Sequence, residues 1–309
     1  MSNEPHDVPQ LLSDEANEAS VPPPLPVVEA PRKPRVWPAL LATPAALVIA
    51  GVLQAGLFGV LDAMNVTVVD DKDMFTPAAM LVFLSLLQLT LLMFAVGAAR
   101  SSREPWRQRL SIARPRASVL TIAAAAMASP FIGGVVAMTL YFLGAETPEH
   151  LVELSQSTQQ DTLLGVLGMV LVIGVLAGVC EEFLFRGYIQ TRLVARFGPV
   201  CGIGAASLLF AIMHLNPMHS TIALALGIWC GLVVWLTGSV WTGVLCHVLN
   251  NSLWVVLSNV QGGSTPEGEL GPLAYVVMAV SGTAFVLAIV RLRAEALRRR
   301  AQALETSHA

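Results

Sequence analysis

LLGVLGMVLVIGVLAGVCEEFLFRGYI, residues 163–189, decides the fold. Leu163 to Cys180 carry no polar side chain, and the whole segment is long enough to cross a hydrocarbon core of ~30 Å as a helix. Glu181, Glu182 and Arg186 then interrupt the run, yet Phe183, Leu184, Phe185, Tyr188 and Ile189 keep it apolar. The helix is therefore predicted to continue past the charges for about two more turns, with three ionisable residues inside a membrane span rather than at its boundary.

The rest of the chain supports a membrane setting. Of 309 residues 55% are hydrophobic and only 13% charged, and the mean hydropathy is +0.67. That is too apolar for a soluble domain of this length. Further apolar segments at about 37–61, 75–99, 117–143, 198–215, 220–237, 240–259 and 272–291 predict an all-α, polytopic membrane bundle of about eight transmembrane helices. A net charge of −3 without a basic face excludes nucleic acid as a partner and leaves the lipid bilayer as the surroundings.

Charge placement orders the crossings. Arg32, Lys33 and Arg35 precede the first segment. Arg100, Arg103, Arg107, Arg109, Arg114 and Arg116 fill the second connection, Arg192 and Arg196 follow the fourth segment, and Arg291, Arg293 and Arg298 to Arg300 follow the last. Eight crossings put all of these on one side, and Asp62, Asp70, Asp71, Asp73, Glu146, Glu149, Glu153, Glu267 and Glu269 on the other. By the positive-inside rule both termini are expected in the cytoplasm. Only Lys33 and Lys72 are lysine among 18 basic residues. With abundant alanine, this bias points to a GC-rich prokaryotic genome and a bacterial inner membrane.

Residues 1–35, polar and proline-rich, read as a disordered cytoplasmic tail. Residues 36–292 form the transmembrane domain, and 293–309 a basic cytoplasmic tail. The PPPLP run, Pro22 to Pro26, is a weak polyproline signal. Cys180, Cys201, Cys230 and Cys246 each fall in an apolar segment without metal-binding spacing and read as small core residues. Gly174 with Gly178, and Gly227 with Gly231, have the spacing that lets membrane helices approach closely.

Few other ionisable residues lie within the spans. Glu182 and Arg186, four apart, share a helix face, while Glu181 projects about 100° away, so one carboxylate can pair with the arginine and leave the other free. A free carboxylate in a dry pocket suits a general base. His214 follows Phe210 by one turn just before the helix break at Asn216 and Pro217, and His247 shares a face with Asn251. His and Asn side chains can donate hydrogen bonds to a developing negative charge.

Taken together, EExxxR (Glu181, Glu182, Arg186), FxxxH (Phe210, His214) and HxxxN (His247, Asn251), in that order on successive membrane helices, resemble the CPBP family of intramembrane endopeptidases. That family includes the type II CAAX prenyl endopeptidases and the bacteriocin-processing and immunity-associated Abi proteins. The resemblance covers about residues 160–260. It implies a cavity opening toward the cytoplasm, in which Glu181 activates water with help from His214. It further implies that His247 and Asn251 stabilise the oxyanion while Glu182 and Arg186 orient the site. The implied partner is a protein or peptide substrate in or at the membrane. No cofactor is required on this reading; zinc is the alternative, since Glu and His are acceptable ligands, but no HExxH helix is present. The competing functions are a non-proteolytic scaffold or bacteriocin-immunity protein of the same family, and a transporter or channel using Glu181 and Glu182 as a proton relay. The lack of an internal repeat counts against transport.

Overall fold

The computed structural model describes residues 34–69, 75–102, 104–145, 159, 160, 162–261 and 272–307. The first 33 residues, and the acidic-loop residues Asp70, Asp71, Asp73, Glu146, Glu149, Glu153, Glu267 and Glu269, lie outside them. The described elements are helices: α1 (Trp37–Ala63), α2 (Pro77–Arg100), a single turn α3 (Trp106–Arg109), α4 (Val119–Phe142), α5 (Leu163–Phe197), α6 (Pro199–Ile212), α7 (Pro217–Thr237), α8 (Val240–Gln261) and α9 (Pro272–Ser307). Their starts follow from local chemistry. Thr76, Ser118, Thr162 and Asn216 each accept a backbone N–H of the first turn, from Ala79, Thr121, Gly165 and His219. Pro77, Pro199 and Pro217 stand where their missing N–H costs nothing.

Seven of these helices are long and apolar enough to cross a membrane, so the protein is an integral membrane helix bundle. The fifth predicted crossing, an apolar run of about 18 residues broken by Asn216 and Pro217, is short, as that length favours. Its helix α6 has 14 residues, about 21 Å at 1.5 Å per residue, short of the ~30 Å core. The chain then turns at Met213–Asn216, with Leu215 at φ 55°, and a hydrogen bond of 2.8 Å from Ser220 Oγ to the Ala211 carbonyl stitches α7 back onto α6. The apolar run had suggested a longer helix because Met213 and Leu215 are apolar residues of this turn. Direction still reverses at α6, so the order of the later helices is kept.

One end of the bundle gathers the basic connections. Arg116 N–H donates to the Thr237 carbonyl at 2.8 Å, Val240 N–H to Ser111 at 3.0 Å, and Ser239 Oγ to Ala113 at 2.6 Å. Thr191 Oγ1 donates to Arg109 at 3.3 Å, and Arg299 Nη2 to Leu236 at 3.0 Å. The ends of α5 and α7, the start of α8 and the last third of α9 therefore share one end with residues 109–116. Helix α9 is continuous from Pro272 to Ser307, so the basic residues 293–307 prolong the helix of the last span.

Small residues set the helix spacing around the site. A Cβ at Gly178 would lie 3.0 Å from the Val248 backbone nitrogen, and one at Gly227 3.2 Å from Arg186 Nη2. The glycine spacings read from the sequence thus sit where α5 meets α8 and where α7 meets α5.

Candidate active site

Helix α5 is not uniform: Val170–Leu176 and Phe183–Gln190 are π-helical, and between them Ala177–Glu182 is a turn and a half of α-helix. Wider i→i+5 turns of this kind recur at functional sites. Here they bracket the two glutamates. Their carboxylates lie at the junction of α2, α5 and α8, with Arg186 one turn on against α7.

Glu182 and Arg186 are wholly buried. Arg186 Nη1 stands 2.9 Å from Glu182 Oε1 as an ion pair, without the alignment of a hydrogen bond. Nη2 donates to the Gly227 carbonyl at 3.1 Å, and the guanidinium lies 4.5 Å over the Phe210 ring. A charge taken from water is tolerated when it is paired; Arg186 Nε is buried without a hydrogen bond. Glu182 Oε1 also takes the His247 Nδ1–H at 3.1 Å. Its Oε2 has no partner and sits against Gly243, where a Cβ would approach to 2.5 Å.

Glu181 faces the other way, as the helical offset requires. Its Oε1 accepts Gln88 Nε2–H from α2 at 2.7 Å, and its Oε2 stands 3.8 Å from His247 Nε2, beyond hydrogen-bond length. His247 therefore lies between the two carboxylates. Because ionised Glu182 can only accept, Nδ1 carries a proton, and Nε2 is the nitrogen turned to Glu181. His247 is seven residues into α8, about 10 Å from that helix's start at the basic end.

His214 and Asn251 stand at the edges of this cluster. His214 Nδ1–H donates to the Phe210 carbonyl at 2.9 Å, which leaves its Nε2 free to accept. Phe210 separates it from the rest: the Phe210 ring lies 4.9 Å from His214 and 5.6 Å from His247, centroid to centroid. Asn251, one turn along α8 from His247, donates Nδ2–H to Ile173 in the first π-helical stretch at 3.1 Å and accepts from Asn250 at 3.1 Å. Glu181, Glu182, Arg186 and His247 thus make one connected group, and no hydrogen bond or ion pair joins His214 or Asn251 to Glu181.

Two neighbours escaped the sequence reading. Gln88 is a buried polar residue in the apolar run of α2, visible to the same test that picked out the glutamates had it been extended to uncharged side chains. His219, read as interfacial, stacks beside His214 with ring centroids 4.4 Å apart. Its signal was the cap: Asn216 accepts its backbone N–H at 2.9 Å and so fixes it in the first turn of α7.

Zinc fits this arrangement poorly. Among the described residues no three His, Cys, Asp or Glu side chains gather closely enough to share an ion. Glu182, one of the few donors present, is already paired with a guanidinium.

Comparison with curated proteins and with solved structures finds no match to the chain. A family model does match: residues 163–253 correspond to Rce1-like, type II CAAX prenyl endopeptidase Rce1-like. That segment runs from the first residue of α5 into α8 and contains all seven motif residues, while α1 to α4 and α9 lie outside it. Over residues 163–253 the chain is thus similar to the type II CAAX prenyl endopeptidases that its motifs resemble.

Proposed function

We propose that the protein is an intramembrane endopeptidase that hydrolyses a peptide bond of a membrane-associated protein or peptide with water activated by Glu181. The observation that carries this reading is the division between the two adjacent carboxylates. Glu182 is committed to Arg186 and His247, whereas Glu181 keeps Oε2 without a hydrogen bond on the side facing His247. A buried carboxylate with one oxygen held and the other free suits proton abstraction from water.

On this reading Glu181 takes one proton of a water molecule as its oxygen attacks the scissile carbonyl carbon. The carbonyl π electrons move onto oxygen, and donors then stabilise the oxyanion. Asn251 has a second amide N–H beyond the one given to Ile173. His247, fixed at Nδ1 by Glu182, donates from Nε2 after taking up a proton there from bulk water before substrate binds. When the C–N bond breaks, the proton passes from Glu181 to the leaving amine. His214, behind Phe210, acts on water or substrate at the edge of the cluster. No step requires a metal. The concentration of arginines at one end supports cytoplasmic termini, and the scarcity of lysine beside arginine supports a bacterial inner-membrane location.

The test is to embed the purified protein in proteoliposomes with membrane peptides, some with prenylated and some with free carboxyl-terminal cysteines, and to identify fragments by mass spectrometry. Cleavage that His247→Ala abolishes supports the proposal, and the preferred peptide names the substrate class. Intact peptides in the presence of folded protein would favour the scaffold or immunity role.

A further inference from the structure

We propose that Gln88 is a positioning residue that selects which oxygen of Glu181 meets water. This rests on the hydrolytic reading above and adds to it a group from α2, outside the segment that matches the endopeptidase family.

The geometry is specific. Gln88 is 6% exposed and lies on α2, 93 residues before Glu181, so the contact exists only because α2 packs against α5. Its Nε2–H donates to Glu181 Oε1 at 2.7 Å, a short bond for an amide donor and typical of one to a charged acceptor. Without it the carboxylate could rotate and present either oxygen. With it, Oε1 is held and Oε2 is the atom turned to His247 Nε2. The amide's own Oε1 is buried without a partner. A buried acceptor in that state is suited to ordered water, and it lies in the same amide that grips the base.

A glutamine that only filled space would be replaceable by methionine, which has the same length and no hydrogen-bonding head. A positioning glutamine is not replaceable. Gln88→Met is therefore expected to lower kcat by about 10-fold to 100-fold, the range for one hydrogen bond to a charged group, with KM changed less than threefold. Gln88→Asn keeps the amide but retracts it by one methylene and is expected to fail similarly, which separates reach from polarity.

The experiment combines peptide cleavage in proteoliposomes with infrared spectroscopy of the whole protein, in which Glu181→Gln identifies the Glu181 carboxylate band. The expected result is a displaced band in both Gln88 variants together with the kcat loss. An unmoved band, or unchanged kcat in folded Gln88→Met, would overturn the proposal, as would losses that merely follow the folded fraction. A wild type that cleaves nothing while its band still responds to Gln88→Met would refute the protease reading and remove the catalytic part of the proposal. The band would then report the contact alone, so the two failures are told apart.

Discussion

Gly243→Ala puts one methyl group where the structure leaves no room for it. The added Cβ would lie 2.5 Å from Glu182 Oε2 and 2.7 Å from Val234 Cγ2. Ordinary contact begins at 3.4 Å, so α8 or the carboxylate must move by about 0.9 Å to relieve the overlap. The carboxylate is pinned at its other oxygen by Arg186 and His247 and is wholly buried, so most of the movement falls on α8. His247 rides on α8 one turn further along. Its 3.1 Å contact with Glu182 would open toward about 4 Å, past hydrogen-bond reach. Overpacking of this kind costs about 1–3 kcal/mol. Gly97→Ala and Gly204→Ala make the same chemical change on helices where nothing lies within 4 Å of the new atom, and so subtract the intrinsic helix preference. Reversible unfolding in mixed detergent–lipid micelles should place Gly243→Ala about 1–3 kcal/mol below both controls, with peptide cleavage reduced by more than the folded fraction. Stability and cleavage equal to those of Gly204→Ala would refute the packing argument.

Asn251→Ala removes the link from α8 to the Ile173 carbonyl and, if the amide is an oxyanion donor, should lower kcat about 100-fold, measured at saturating peptide. Arg186→Met leaves Glu182 buried beside an apolar chain. Because that ion pair lies within one helix and survives separation of the helices, the measured destabilisation should be only about 1 kcal/mol, from the lost Gly227 contact, while folded yield should recover when Glu182→Gln is added. Cysteines introduced by Ser102→Cys and Arg298→Cys should react with an impermeant maleimide from the cytoplasmic side alone, and Leu143→Cys from the opposite side. Ser102 labelled from outside would invert the orientation argued from the arginines.

How much of this was legible in the sequence depended on the kind of signal. Long apolar runs fix helices because a membrane leaves the backbone no other partner, so α1, α2, α4, α7 and α8 fell close to their expected bounds, while α5 and α9 run on past their apolar stretches to Phe197 and Ser307. Helix α6 ends at Ile212, three residues early, since apolar residues in the Met213–Asn216 turn cannot be told from helix by hydropathy. The i,i+4 pairing of Glu182 with Arg186 followed from helical geometry alone. What sequence spacing could not give was the neighbour across a helix interface. Gln88 meets Glu181 through the packing of α2 on α5, and His247 stands between both carboxylates because glycines at 178 and 243 let α8 come close. Likewise, the packing of the Phe210 ring against both His214 and His247 depends on a helix interface that no motif encodes.

Turnover of a quenched fluorescent membrane peptide by the wild type and by Glu181→Gln, each verified as folded and each assayed with and without a chelator, tests the central claim most directly. Loss of about 10²-fold to 10⁴-fold in kcat on removing the base, with wild-type cleavage indifferent to chelation, is the predicted result. Cleavage retained in Glu181→Gln, or cleavage abolished by chelator and restored by zinc, would contradict it.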